Sequence, residues 1–137
     1  MKKSAFLRSK FVLGMRQISQ VMKMGKMIRC PWGSFEVLSE TAGHKVKRII
    51  VEPGGGLSLQ LHHFRSEHWF VVAGTGDVTV GDKVISLSAG GSVDIPAKVK
   101  HRVLNHADGH LVIIEVQTGA RCDDGDIERF EDLYGRI

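Results

Sequence analysis

The segment SLQLHHFRSEHW, residues 58–69, sets three histidines, a glutamate and a glutamine into twelve positions, with apolar residues threaded between them. Imidazole nitrogens and carboxylate oxygens are the common ligands of zinc and related divalent ions. Side chains at i and i+2 of a strand share a face, so Gln60 and His62 point the same way. Glu67 opens the next β run and can meet them across a hairpin. His63 and His68 have the opposite parity and fall outside that group. Far along the chain, His101 follows DIPAKVK and opens HRVLNH, where a distant strand of a closed barrel could add a fourth ligand. A lone strand histidine is more often a surface or hydrogen-bonded residue, and on ligand chemistry alone that reading stays open.

The elements that must position these residues are short. Nine β-rich runs recur from residue 34 onward: SFEVLSE, HKVKRIIVE, LSLQLH, EHWFVVAG, GDVTVG, KVISLSA, SVDIPA, HRVLNH and HLVIIEVQ. Turn signals separate them, among them PGGG, AGTG and NHADG. Regular short strands without long helical periodicity indicate an all-β sandwich or barrel. VTVGDKVISL reads as a hairpin closing on Gly81-Asp82. Near the end, Ile127, Phe130 and Leu133 recur every three residues, which predicts a short C-terminal helix. Trp32 and Trp69 are expected in the core.

Composition narrows the class. The 137 residues suffice for one domain with a core, and 42% apolar with 25% charged residues describes an ordinary globular chain. No apolar run approaches the roughly eighteen residues of a membrane span, so no membrane partner is expected. Cys30 and Cys122 form no CxxC pair and no disulfide framework, which suits a reducing, cytoplasmic setting. The net charge of +4 is uneven: residues 1–29 hold eight Lys or Arg and no acid, while the remainder holds eleven against fifteen. Residues 1–28 are therefore expected as a basic arm and 29–137 as the domain. That domain carries net negative charge and is not expected to bind nucleic acid.

The spacing of the candidate ligands resembles the cupin superfamily. Its first motif is matched by Gly54, Gln60-x-His62, Glu67 and Gly74; its second by Gly90, Pro96, Lys98 in place of a glycine, His101 and Asn105. The resemblance implies a jelly roll, or double-stranded β-helix, with one divalent metal ion, zinc first among candidates, held by Gln60, His62, Glu67 and His101. Gln60 stands where most cupins carry histidine, and Gln-x-His is the pattern of mannose-6-phosphate isomerases. The similarity then runs over residues 29–136. CPWGSFEVL looks like that family's Arg-Pro-Trp-Gly opening with Cys30 replacing the arginine. KVKRIIVEPG, SLQLHHFRSEHW (with Phe64 replacing a histidine), IIEVQTG and DDGDIERFEDLYGR resemble the type II enzymes. That domain commonly forms the C-terminal part of bifunctional mannose-1-phosphate guanylyltransferase/mannose-6-phosphate isomerases, and no glycine-rich nucleotide loop precedes it here.

The implied reaction interconverts mannose 6-phosphate and fructose 6-phosphate. Two neutral histidines, an amide and one carboxylate would leave a divalent cation with a net charge of +1, suited to polarising sugar oxygens. A base must carry a proton between C1 and C2, and Lys47 and Glu115 are the candidates, each on a strand face that could border the cavity. Lys45, Arg102, Arg129 and Arg136 are candidate contacts for the substrate phosphate, since guanidinium forks onto phosphate oxygens. Singly, each of these cations is more often a solvated surface residue. Two other functions compete: a non-catalytic sugar-binding cupin module, kept open by the short chain and Cys30, and a metal-dependent cupin oxygenase, which Gln60 argues against. Exposed edge strands lead us to expect a homodimer.

Overall fold

The computed structural model describes residues 25–137 and is all-β among them. Eleven strands follow in chain order: β1 Met27–Cys30, β2 Gly33–Glu40, β3 His44–Val51, β4 Leu59–Leu61, β5 Arg65–Ala73, β6 Thr75–Val80, β7 Lys83–Ser88, β8 Ser92–Ile95, β9 His101–Leu104, β10 Leu111–Gly119 and β11 Glu128–Glu131. They form two sheets, ordered β1-β2-β3-β10-β5-β8 and β11-β4-β9-β6-β7, with every strand pairing among the described residues antiparallel. All nine strands expected from the sequence are present, and Gly81-Asp82 closes the β6–β7 hairpin with Gly81 at φ 59°. Among the described residues, no helix is long and apolar enough to cross a membrane.

The expected C-terminal helix is not formed. Residues Glu128–Glu131 are β11, which pairs with β4 so that Arg129 lies opposite Gln60. The three-residue recurrence of apolar side chains was a weak signal, and Leu133 is in fact 63% exposed. The unpaired edge of three-residue β4 offers the segment backbone hydrogen bonds that outweigh a marginal local preference. The expected basic arm, residues 1–28, falls mostly outside the described residues; β1 already begins at Met27.

One face of the larger sheet explains where chemistry is located. Buried positions alternate along β3 (Lys45, Lys47, Ile49, Val51), β5 (Arg65, Glu67, Trp69, Val71) and β10 (Leu111, Ile113, Glu115, Gln117). Register lines them into cross-strand rows: Ile49–Ile113–Val71, then Lys47–Glu115–Trp69, then Lys45–Gln117–Glu67. The inward face is thus apolar at one end and polar at the other. The apolar end packs on Val78 and Val103 of the second sheet, with Trp32, Leu57 and Ile95 around it. This burial supplies the driving force for closing the sandwich. The polar end opens into a cavity.

Turns hold the sheets in register. Gly74 sits at φ 83°, and a Cβ there would lie 2.4 Å from the His110 carbonyl oxygen. Lys98, where the cupin pattern has glycine, is the one non-glycine residue with positive φ among the described residues, at 65°. Its amide donates to the His62 carbonyl at 2.7 Å, which ties the second motif to the first.

Candidate metal centre

His62 leaves the end of β4, Glu67 lies on β5 and His101 opens β9. The three are 4% exposed or less, and their ligand atoms all lie within 4.8 Å of one another. His62 Nε2 is 3.0 Å from Glu67 Oε1, and His101 Nε2 is 3.5 Å from Glu67 Oε2. The far nitrogen of each ring is committed. His62 Nδ1 donates to the Asp126 carbonyl at 2.7 Å, and His101 Nδ1 to the Val99 carbonyl at 2.9 Å. A carbonyl only accepts, so in the neutral rings the proton sits on Nδ1 and Nε2 turns a lone pair toward Glu67. Such carbonyl partners are what orient metal-binding histidines.

Burial opposes ionisation of Glu67; contacts with His101 and His62, which act in this sense when those rings also carry a proton on Nε2, outweigh it and hold its carboxyl well below the usual carboxylate range. An ionised carboxylate facing two imidazole nitrogens calls for a cation among them. His101 Nε2 is buried without a hydrogen-bond partner. This donor set suits zinc and similar divalent ions.

Gln60 adjoins the three and lies opposite His101 in register. Its Oε1 accepts from Ser58 Oγ at 2.8 Å, and its Nε2 is 3.5 Å from His62 Nε2. To serve as a ligand, its amide would turn over and bring oxygen to the ion. The Ser58 hydroxyl can then accept where it now donates.

Above this group lies a cavity of about 220 Å³ lined by Lys47, Glu115, Gln117, Arg65, Arg129 and Arg136, with Cys30, Trp32 and Phe35 on its apolar wall. Glu115 accepts from Trp69 Nε1 at 2.9 Å and from Gln117 Nε2 at 2.7 Å. Burial first, and then the charge of Glu67, push its carboxyl up to about 8. Lys47 Nζ contacts Asp124 Oδ1 at 3.1 Å and lies 4.3 Å over the Phe35 ring. Arg129 lies opposite Gln60, and its buried Nε has no partner. Arg136 forks onto Asp132, at 2.8 Å through both Nε and Nη2. Burial pushes the Cys30 thiol up, so it presents a neutral group.

Two expected phosphate contacts are placed elsewhere. Arg102 follows His101 on β9, and adjacent strand residues face opposite ways; it leaves the cavity and meets Glu131 at 3.1 Å. Lys45 faces inward but lies beyond the cavity lining, 3.5 Å from Glu40. His63 and His68 point outward to Glu128 and Asp94, at 3.1 and 2.6 Å.

The structure also brings in residues that the sequence reading passed over. Arg65 contacts Glu67 Oε1 at 3.3 Å and the Asp123 carbonyl at 2.9 Å. Asp126 accepts from the backbone amides of His63 and Phe64 at 2.9 and 3.0 Å, while its own carbonyl holds His62. The loop between β10 and β11 therefore clamps the β4–β5 turn. Trp69 Nε1 is shared between Glu67 and Glu115.

Comparison with known proteins adds identity to this geometry. The family model described as mannose-6-phosphate isomerase C-terminal matches residues 17–132. The chain is 49% identical over 106 residues to the xanthan biosynthesis protein XanB of Xanthomonas campestris, covering 77% of this chain and 23% of that protein. It is 48% identical over 106 residues to the alginate biosynthesis protein AlgA of Pseudomonas aeruginosa, covering 77% and 22%. It is 42% identical over 114 residues to the mannose-1-phosphate guanylyltransferase ManC of Salmonella typhimurium, covering 83% and 24%. The chain thus spans about a quarter of the length of the curated relatives it matches. Among solved structures, the capsular polysaccharide assembling protein CapF of Staphylococcus aureus superposes with a TM-score of 0.67 at 25% identity, over 79% of this chain and 33% of that one. An RmlC-like cupin from Shewanella frigidimarina superposes with a TM-score of 0.64 at 22% identity, over 74% and 89%, a likeness of fold alone. With both cupin motifs seated on a jelly roll, the chain belongs to the mannose-6-phosphate isomerase C-terminal family.

Proposed function

We propose that the protein is a metal-dependent isomerase interconverting mannose 6-phosphate and fructose 6-phosphate. The observation that carries this reading is the buried convergence of His62, Glu67 and His101 beneath a cavity lined by cations. These three residues, with Gln60 as fourth, would hold one divalent ion, zinc in our reading. When bound, the ion supplies Lewis-acid polarisation of the sugar oxygens.

The chain's own groups account for the rest. Arg129 sits in the same cross-strand row as Gln60 and His101. Its unpartnered Nε is available to a phosphate oxygen beside the metal ligands. Arg136 and Lys47 add positive charge at the same cavity. Where the family pattern has an arginine, Cys30 offers a neutral thiol, so these three must meet the phosphate charge. Glu115 is fixed at both oxygens, and burial, the largest cause, raises its carboxyl toward the neutral range. That is the range in which a general acid-base group works best, and we assign the C1–C2 proton transfer to it. Lys47, tied to Asp124, serves as a cation.

The deciding experiment is an isomerase assay coupled to removal of fructose 6-phosphate, run on chelated and on metal-loaded protein. Turnover is expected only after loading, and Glu67→Gln should reduce it to the chelated level. If loaded protein binds the sugar phosphate but does not isomerise it, the isomerase reading fails and a sugar-binding module takes its place.

A further inference from the structure

Arg65 reaches the atoms that a metal ion would use. Its Nε is 3.3 Å from Glu67 Oε1, and its Nη2 is 3.4 Å from His62 Nε2. Its Nη1 donates to the Asp123 carbonyl at 2.9 Å, and only 5% of the residue is exposed. Among the described residues it is the only lysine or arginine in contact with Glu67. Because His62 Nδ1 is committed to the Asp126 carbonyl, the guanidinium faces the ring nitrogen that carries the lone pair. An arginine is never deprotonated at accessible pH, so its charge is permanent. The guanidinium cancels the one negative charge of the ligand group, and two of the three converging donors already have a cation beside them. Only His101 Nε2 has no hydrogen-bond partner.

We infer that Arg65 is an internal cation that competes with the divalent ion for His62 and Glu67, holding the donors together before loading and weakening metal binding. This rests on the metal reading given above. Its sign is opposite to that of an ordinary orienting residue. Removing a group that merely orients Glu67 loosens the ion, whereas removing a competing charge tightens it. Unit charges a few ångströms apart interact strongly enough at the effective dielectric of a protein to move a dissociation constant by roughly tenfold or more. A neutralised donor group also admits best those ions that imidazole nitrogen binds strongly, since little net charge is left to attract an oxygen-seeking ion.

The test is a Co²⁺ titration of the chelated, full-length protein, followed by the visible absorption of the bound ion. It compares wild type with Arg65→Met, which removes the charge, and Arg65→Lys, which keeps it. The Arg65→Met dissociation constant should fall roughly tenfold or more, while its ion-free melting midpoint drops. Arg65→Lys should stay within about threefold of wild type. Arg65→Gln, which keeps a donor for the Asp123 carbonyl, carries the same measurement if Arg65→Met does not fold. Equal or weaker binding by the neutral variants, with wild type binding normally, overturns the competition but leaves the metal centre standing. A lysine variant that binds as tightly as the methionine variant overturns it too. If a neutral variant binds and wild type does not, the inference holds in its strongest form. If none of the proteins binds Co²⁺, the metal reading falls and this inference with it.

Discussion

At the scale of single residues, strand parity carried much of the candidate site. It separated Gln60, His62 and Glu67 from His63 and His68, and the structure places the two groups on opposite faces. Metal content should follow this division: His62→Ala and His101→Ala should leave purified protein without bound ion, and His63→Ala should retain it. Equal content in all three, by elemental analysis, would remove these residues as ligands. Parity also had the power to exclude Arg102, because a strand cannot turn both residue 101 and residue 102 inward. It could have named Arg65 as well, two positions before Glu67 and opposite in charge. Asp126 was beyond its reach, since it acts from a loop 64 positions after His62, its backbone carbonyl accepting from the His62 ring and its carboxylate from the amides of His63 and Phe64. Glu115 yields a pH prediction for the metal-free protein. Its carboxyl titrates near 8 in the folded state and near 4.5 when unfolded. Between those values the folded state holds the extra proton, so this group's contribution makes stability decline as pH rises from about 5 to 8. Glu115→Gln should flatten that part of the melting-midpoint profile. An unchanged slope would show that Glu115 does not carry its proton there.

At the scale of elements, the central strands were legible because each is long enough to show alternation, from Lys45 to Val51 and from Leu111 to Gln117. The two strands that were missed, β1 and β11, are four residues each and lie at sheet edges. Equally short β4, β8 and β9 were legible from the turn signals and motif residues around them, whereas β1 adjoins the basic stretch and β11 carries a competing three-residue recurrence, so both are specified by the partner they cover. The turns that join strands make a sharper prediction through Gly74 and Lys98. Gly74→Ala meets both a positive φ of 83° and a carbonyl oxygen at 2.4 Å. It should cost roughly 2–4 kcal/mol. Lys98 bears the left-handed penalty without a glycine. Lys98→Gly relieves about 1–2 kcal/mol of that strain and loses about 0.5–1 to chain entropy. A net gain of about 0–1.5 kcal/mol in urea unfolding is expected. A loss would mean that the Lys98 side chain supports the turn beyond its backbone bond to His62.

At the scale of the whole molecule, the two sheets leave unequal edges. β7 ends the smaller sheet with Val84 69% and Ile85 37% exposed. An edge strand bearing apolar side chains is a natural place for pairing with a second copy. The expected homodimer should therefore be seen by sedimentation velocity, and Val84→Lys should shift the protein toward monomer. If the wild type sediments as a monomer at tens of micromolar, this expectation fails.

The cavity, by contrast, is lined from both sheets of one sandwich among the described residues. Every residue lining it lies between Cys30 and Arg136, and the apolar core runs from Trp32 to Ile113. The residues that clamp it, Asp123, Asp124 and Asp126, come from the β10–β11 loop and reach Arg65, Lys47 and His62 across the sheet. The metal ligands and the supports named for them lie among the described residues. A chain starting at Gly25 should therefore keep its melting midpoint within about 2 °C, since 1 kcal/mol moves a domain of this size by roughly 4–8 °C. Its Co²⁺ affinity should stay within about twofold of the full chain. A midpoint lower by 5 °C or more would show that the removed residues contribute stability to the barrel. If affinity fell while the midpoint held, they would contribute to the site.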